Sequence, residues 1–310
     1  MKIFRSLADI PKFNKAVYTQ GTFDGLHPGH QIVIRRIVET ARKIGGESVL
    51  LTFFPHPRLF LYPEDNELRL LQTLDEKIAS FEALGLDNLI ILPFDKAFSS
   101  IEPAQFVQNF LVNTIGVSVI VVGYDHRFGH NREGDISLLR KIAAVENFTV
   151  EEIAVEDMEN IAISSTRIRE ALKAGDVETA AKYLGRPYSF SGVVVHGRKL
   201  GRELGYPTAN LELTASYKLI PSLGIYAVKA EVGGKTYGGM LSIGKNPTII
   251  DKGFSIEVNL FNFAKDIYGE EVRIYFIAYL RKEEKYDNLE ALSQQLKLDK
   301  IYAEKILAHL

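Results

Sequence analysis

The chain contains no cysteine among its 310 residues, which excludes disulfide frameworks and thiolate metal centres and suits a reducing compartment. It also lacks any uninterrupted apolar stretch near the ~20 residues needed to cross a bilayer, and Met1 to Pro11 has no apolar core of a secretion signal. A cytoplasmic location without membrane contact is expected. Net charge is nearly absent: 37 Lys and Arg against 39 Asp and Glu leave −2. That balance gives no general attraction to nucleic acid, so a polyanion must be held by local sites. Internal repeats and low-complexity tracts are missing too. What remains is globular in character, 46% hydrophobic and 25% charged, and long enough for two domains.

From Ala16 to Ile153, β-branched runs alternate with helical periods. Strands are expected from Ala16 to Thr19, Ser48 to Phe53, Asn88 to Leu92, Val117 to Val122 and Phe148 to Ile153. Between them, Val33, Ile37, Ala41 and Ile44 share a helical face, and Asp75 is positioned to cap a helix carrying Ile78, Phe81 and Leu84. Pro103 opens another, carrying Phe106, Val107, Phe110 and Leu111. This alternation builds an α/β fold, a parallel sheet covered by helices on both faces.

Ligands of such sheets bind beyond the carboxyl ends of the strands, and four loops there are unusual. The first reads Gly-Thr-Phe-Asp-Gly-Leu-His-Pro-Gly-His from 21 to 30. Its His27 and His30 can both point at one ligand beside the free N–H groups of a helix start, a corner suited to a triphosphate, and Asp24 is placed to hold a cation. The second is Phe54-Pro55-His56-Pro57; the third runs from Gly123 to Gly129 and includes Asp125 and Arg127. The fourth, Ile163 to Arg169, offers Ser165, Thr166, Arg167 and Arg169 at a helix N-terminus, donors suited to phosphate oxygens. All four are expected to converge on one rim. The bland alternative is that the histidines and hydroxyls only cap helices.

A helix from Asp176 to Leu184 ends at Gly185, and the domain boundary is placed there, giving 1–185 and 186–310. Beyond it the strands expected at Tyr188 to Val195, Ile225 to Val232, Lys235 to Ile243, Ser255 to Phe261 and Val272 to Leu280 have no helices between them. Gly233-Gly234 makes a two-residue hairpin turn, and the whole suggests an antiparallel barrel or sandwich. Leu289, Leu292, Leu296, Ile301 and Ile306 form a helical register expected to pack on it. A second glycine-rich loop carries Gly192, Gly197, Gly201 and Gly205 before Pro207-Thr208-Ala209-Asn210. Its backbone can approach phosphates closely, and Thr208 and Asn210 face one way in an extended segment, offering oxygens to Mg²⁺. Glu257 lies in an apolar strand and is either a working base or a solvent-facing residue of an edge strand.

Assembled, these residues resemble the bacterial bifunctional riboflavin kinase/FMN adenylyltransferases over nearly the full chain. The resemblance rests on GTFDGLHPGH (21–30), TFFPHP (52–57), VGYDHRFGHNREG (122–134), ISSTRIR (163–169), GRKLGRELGYPTANL (197–211), PSLGIYAV (221–228), IEVNLFNF (256–263) and DIYG (266–269). It implies a Rossmann-like nucleotidylyltransferase domain that adenylates FMN to FAD, followed by a riboflavin kinase-like barrel that makes FMN, with ATP as co-substrate and Mg²⁺ as cofactor. It also implies ATP contacts at Thr22, Phe23, Asp24, His27, His30, Ser165, Thr166 and Arg169, and flavin or nucleotide contacts at His56, Asp125 and Arg127. In the barrel, Gly192, Gly197, Gly201, Gly205 and Thr208 would bind ATP, Thr208 and Asn210 would bind Mg²⁺, and Glu257 would be the base. Departures from the family pattern stand at Thr22, His126, Lys245, Asn246 and Asn259, and imply altered affinities rather than a lost reaction. Rival readings are a metal-dependent hydrolase using Asp24, His27, His30 and His56, a non-enzymatic flavin-binding or regulatory protein in which one half has degenerated, and an enzyme with only one of its two sites active.

Overall fold

The computed structural model describes residues 1–62, 68–123, 126–153, 163–197, 201, 204–244 and 254–309. The chain divides into two compact units, Met1–Ile163 and Ser164–Leu310.

In the first unit, β1 (Lys2–Phe4), β2 (Ala16–Gln20), β3 (Ser48–Phe53), β4 (Asn88–Leu92), β5 (Val117–Gly123) and β6 (Thr149–Ile153) form a parallel sheet of order β1-β4-β3-β2-β5-β6. Every residue of β3 and of β4 is buried, which is why both are mainly apolar without polar and apolar residues alternating. Successive side chains still serve opposite faces. Val17, Leu50, Leu89 and Ile91 pack with Ile34, Ile37 and Phe81 of helices α1 (Pro28–Ile44) and α3 (Leu74–Ala83). On the other face, Tyr18, Val49, Leu51 and Ile90 meet Phe106, Val107 and Leu139. The short helices α2 (Pro57–Leu61) and α4 (Lys96–Ser99) lie in connections.

Three details differ from the sequence expectation. The edge strand β1 is too short and too exposed to announce itself. Helix α3 is capped by Thr73, not Asp75: Glu76 N–H donates to Thr73 Oγ1 at 3.1 Å and Thr73 N–H donates to Glu76 Oε2 at 2.9 Å, a reciprocal capping box. Helix α5 (Pro103–Gln105) continues as a π-helix over Phe106–Ile115, so the expected apolar residues are buried on a wider winding. Helix α6 (Ile136–Glu146) follows.

The second unit begins with α7 (Ser165–Ala174) and α8 (Val177–Leu184). They belong with the barrel by contact: Ser222 N–H donates to Leu172 O at 3.1 Å. Strands β7 (Ser189–Val195), β8 (Ala209–Leu213), β9 (Gly224–Val232), β10 (Lys235–Gly244), β11 (Ser255–Leu260) and β12 (Glu271–Arg281) close into a barrel of order β10-β11-β8-β7-β12-β9, resolving the barrel-or-sandwich alternative. Gly233 and Gly234 take φ of 54° and 76°, the backbone that a two-residue hairpin loop demands. The C-terminal α9 (Leu289–Leu307) lays Leu296, Ala303, Ile306 and Leu307 against Ala227, Met240, Phe261 and Ala278. Leu289 and Ile301, expected on that face, are instead exposed. Among the described residues no helix is long and apolar enough to cross a membrane.

Candidate active sites

Strand β2 pairs with β3 on one side and β5 on the other. The strand order therefore reverses beyond its carboxyl end, where open α/β sheets place their ligand crevice. The loop leaving β2 occupies that position. Phe23 (φ 47°), Gly25 (85°) and Leu26 (42°) all hold left-handed backbone, an arrangement costing of order 1–3 kcal/mol at each non-glycine residue unless the surroundings fix it. His27 then caps α1 in extended conformation, ahead of Pro28.

The His27 and His30 rings stack with centroids 3.6 Å apart and planes at 23°. The edge of Phe23 meets His30 at 5.3 Å, and Phe23 in turn rests on Phe81 of α3 at 6.0 Å. His30 Nδ1 is buried with no hydrogen-bond partner among the described residues, a polar atom left over by the fold. Burial first, then the neighbouring His27 and Lys77, hold the His30 pKa well below its ordinary value. The ring is thus uncharged at neutral pH and keeps one donor and one acceptor.

This depression has a consequence for stability. An unfolded chain protonates the histidine below about pH 6.5 while the folded one resists. The contribution is therefore full above that pH and is lost as pH falls through the depressed folded value. Urea unfolding of the first unit, followed by amide exchange in α1, should show falling stability between pH 7.5 and 5.5. The slope should be shallower in His30→Gln; equal slopes would contradict the assignment.

Asp24 has a different setting from the cation-holding one expected of it. Its carboxylate is buried and accepts from Leu71 N–H at 3.0 Å and Gln72 N–H at 3.2 Å. The charge it faces is Lys77 of α3, also buried, whose Nζ donates to Thr22 O at 2.8 Å. Sequence reasoning missed this lysine. The available signal was a charge on the apolar stripe of α3, between Leu74 and Phe81.

By topology the loops after β3 and β5 leave the same edge of the sheet as the loop after β2. In the first of them His56 caps α2, its Nδ1 accepting from Arg58 N–H at 3.1 Å. In the second, Arg127 pairs with Asp135 at 3.3 Å and His126 stacks on Phe128; Asp125 lies outside the described residues. No group of three His, Asp or Glu side chains able to hold a metal occurs among the described residues, so the hydrolase ligand set does not assemble there. The fourth loop opens the second unit. There Ser164 caps α7, accepting from Arg167 N–H at 3.3 Å, so neither Ser165 nor Thr166 is the cap; these two and Arg169 occupy the first turns.

In the barrel, β11 pairs with both β10 and β8, so Glu257 is not on an edge strand. Ile256, Val258 and Leu260 are buried in alternation, leaving Glu257 on the other face, opposite Asn210. Thr208 Oγ1 donates to Glu257 Oε2 at 3.0 Å. Two glycines bring the loop backbone onto these side chains. A Cβ at Gly197 would collide with the Asn210 carboxamide, and one at Gly201 with Tyr206 O. Gly192 lies within β7, its Cα facing β8, and Gly205 holds a left-handed turn (φ 78°). Residues 198–200, 202–203 and 245–253 lie outside the described residues, and with them Lys245 and Asn246.

Beside Thr208 opens a cavity of about 420 Å³, lined by Val194, Pro207, Thr208, Leu260, Phe263 and Tyr268 among others. Tyr268 carries His196 against its ring at 3.9 Å. Asn259, one of the departures, donates from Nδ2 to Pro207 O at 2.7 Å and so braces the segment that presents Thr208. The oxygens gathered at this point, from a hydroxyl, a carboxamide and a carboxylate, are the hard donors Mg²⁺ prefers.

Comparison with known proteins extends over both units. The FAD synthetase family model matches residues 9–167 and the riboflavin kinase model residues 184–307. Curated relatives called bifunctional riboflavin kinase/FMN adenylyltransferase include one from Pseudomonas fluorescens, 36% identical over 99% of this chain and 98% of its own. Another from Listeria monocytogenes is 40% identical over 91% and 90%. A solved structure described as a macrolide-efflux protein from Streptococcus pneumoniae matches with a TM-score of 0.87 and 33% identity, covering 98% of this chain and 99% of that one. With two matched family models and relatives that span its whole length, the chain belongs to the bifunctional riboflavin kinase/FMN adenylyltransferase family.

Proposed function

We propose that the two halves, divided near residue 185, run successive ATP-dependent transfers at separate sites. In the barrel, the ribityl 5′ hydroxyl of riboflavin attacks the γ-phosphorus of ATP; an O–P bond forms, the bond to ADP breaks, and FMN results. In the first half, a phosphate oxygen of FMN attacks the α-phosphorus of a second ATP, giving FAD and releasing pyrophosphate. The membership of both halves in their respective families supports both reactions, and the Thr208–Glu257 contact at 3.0 Å is the observation that carries the kinase assignment.

Glu257 would take the hydroxyl proton, and the bond from Thr208 holds its carboxylate in one orientation for that transfer. Thr208 and Asn210 would hold Mg²⁺, seated by the close approach of Gly197 and Gly201, with Gly192 and Gly205 shaping the loop. When bound, the cation would neutralise charge on the transferring phosphoryl group. In the first half there is no covalent nucleophile, so positioning and charge neutralisation are what the site must supply. His27 and His30 would serve ATP phosphates; Thr22 and Phe23 shape their loop, while His56, Asp125 and Arg127 would meet nucleotide or flavin. Ser165, Thr166 and Arg169, in the first turns of α7, are by type further donors for phosphate oxygens. ATP supply and a cysteine-free chain suit the cytoplasm.

Chromatography of a mixture of riboflavin, ATP and Mg²⁺ tests the proposal. FMN should appear first and FAD after it, and neither should form in excess chelator. FMN without FAD would remove the N-terminal assignment, and FAD formed only from supplied FMN would remove the C-terminal one.

A further inference from the structure

Helix α3 supports the histidine loop at two points. Phe81 carries Phe23, whose edge meets His30. One turn earlier, Lys77 donates to the Thr22 carbonyl at 2.8 Å, just before the three left-handed residues. A buried lysine is costly to keep, and here it sits only 3% exposed beside an Asp24 that is itself 2% exposed. A methionine would fill the same space on this apolar stripe. Asp24 in turn ties the loop to the backbone of Leu71 and Gln72, the segment leading into α3. Lysine and aspartate together therefore tie the strained turn between Thr22 and Leu26 to α3 and to the segment leading into it.

We propose that Lys77 is a positioning residue for adenylyl transfer, fixing the Thr22–Leu26 turn through the Thr22 carbonyl so that His27 and His30 stay stacked and aimed at one place. The inference rests on the assignment of those histidines to ATP phosphates. Lys77 touches no reacting atom; its effect passes through the loop. Displacement of a catalytic group by as little as 1 Å costs about 10²-fold in rate. Loss of that tie should accordingly appear in kcat rather than in substrate affinity.

Lys77→Met is expected to lower kcat for FAD formation from FMN by about 10- to 100-fold. The KM values for ATP and FMN should stay within about threefold, and riboflavin phosphorylation should be unchanged, because removal of a transition-state alignment acts on kcat. Asp24→Asn/Lys77→Met also removes the buried carboxylate charge that Lys77 faces and supplies a neutral pair if the single variant does not fold. Lacking the anchor to Thr22, it should remain as slow as the single variant while regaining stability. Wild-type kcat in either folded variant would overturn the inference. His27→Ala, measured alongside, separates the two levels. If it leaves FAD formation intact, the site assignment falls and the Lys77 inference with it. If it abolishes FAD formation while the Lys77 variants do not, the Lys77 inference alone falls.

Discussion

Glu257→Gln is expected to lower FMN formation from riboflavin by about 10² to 10⁴-fold, the range over which a positioned general base contributes, while FAD formation from supplied FMN continues unchanged. The size of the effect follows from the local structure. Glutamine preserves the side-chain volume and can still accept from Thr208 through its amide oxygen, so the strand pairing of Glu257 with Asn210 and Ser242 is undisturbed. What it removes is the capacity to take a proton. The activity that persists is assigned to the region matched by the FAD synthetase model, residues 9–167, which does not include Glu257. Full FMN formation by the folded variant would show that the carboxylate only braces Thr208.

The converse loss is expected at the stacked imidazoles. His27→Ala or His30→Gln should reduce FAD formation by about 10² to 10³-fold, the magnitude seen when a donor aimed at developing charge is removed. With riboflavin as substrate, FMN should then accumulate. Because the two rings lie 3.6 Å apart, their losses should not add: the double variant should be little slower than the worse single one, as for groups that act as a unit. Additive losses would mean that each ring serves a separate ligand. Unchanged FAD formation in both single variants would return them to the bland reading in which they only start a helix.

Much of this was legible in sequence, for identifiable reasons. The four inner strands of the first unit were readable because sheet burial on both faces favours largely apolar runs, and the Gly233-Gly234 turn because few other residues tolerate its backbone. The approach of Thr208 and Asn210 to Glu257 was half legible: period-two alternation put the first two on one side, but only strand register places Asn210 opposite Glu257. Other features were not readable. Asp24 looks like a ligand residue in its glycine-rich setting, and its partners Leu71 and Gln72 are far along the chain. Lys77 is a single charge in an amphipathic helix, ordinary until its burial is known. The exposure of Leu289 and Ile301 likewise depends on which stripe of α9 the barrel accepts, and small residues such as Ala303 decided it.

The origin of the two phosphorus atoms in FAD offers the most direct test that the chain performs two different transfers in sequence. Riboflavin is incubated with the full chain, Mg²⁺ and ATP labelled either at the γ- or at the α-phosphorus, and the FAD formed is isolated. The FAD should carry one phosphorus from the γ position, delivered through FMN, and one from the α position, delivered with AMP. FAD devoid of γ-derived label, or γ-label recovered only as inorganic phosphate with no labelled flavin, would contradict it.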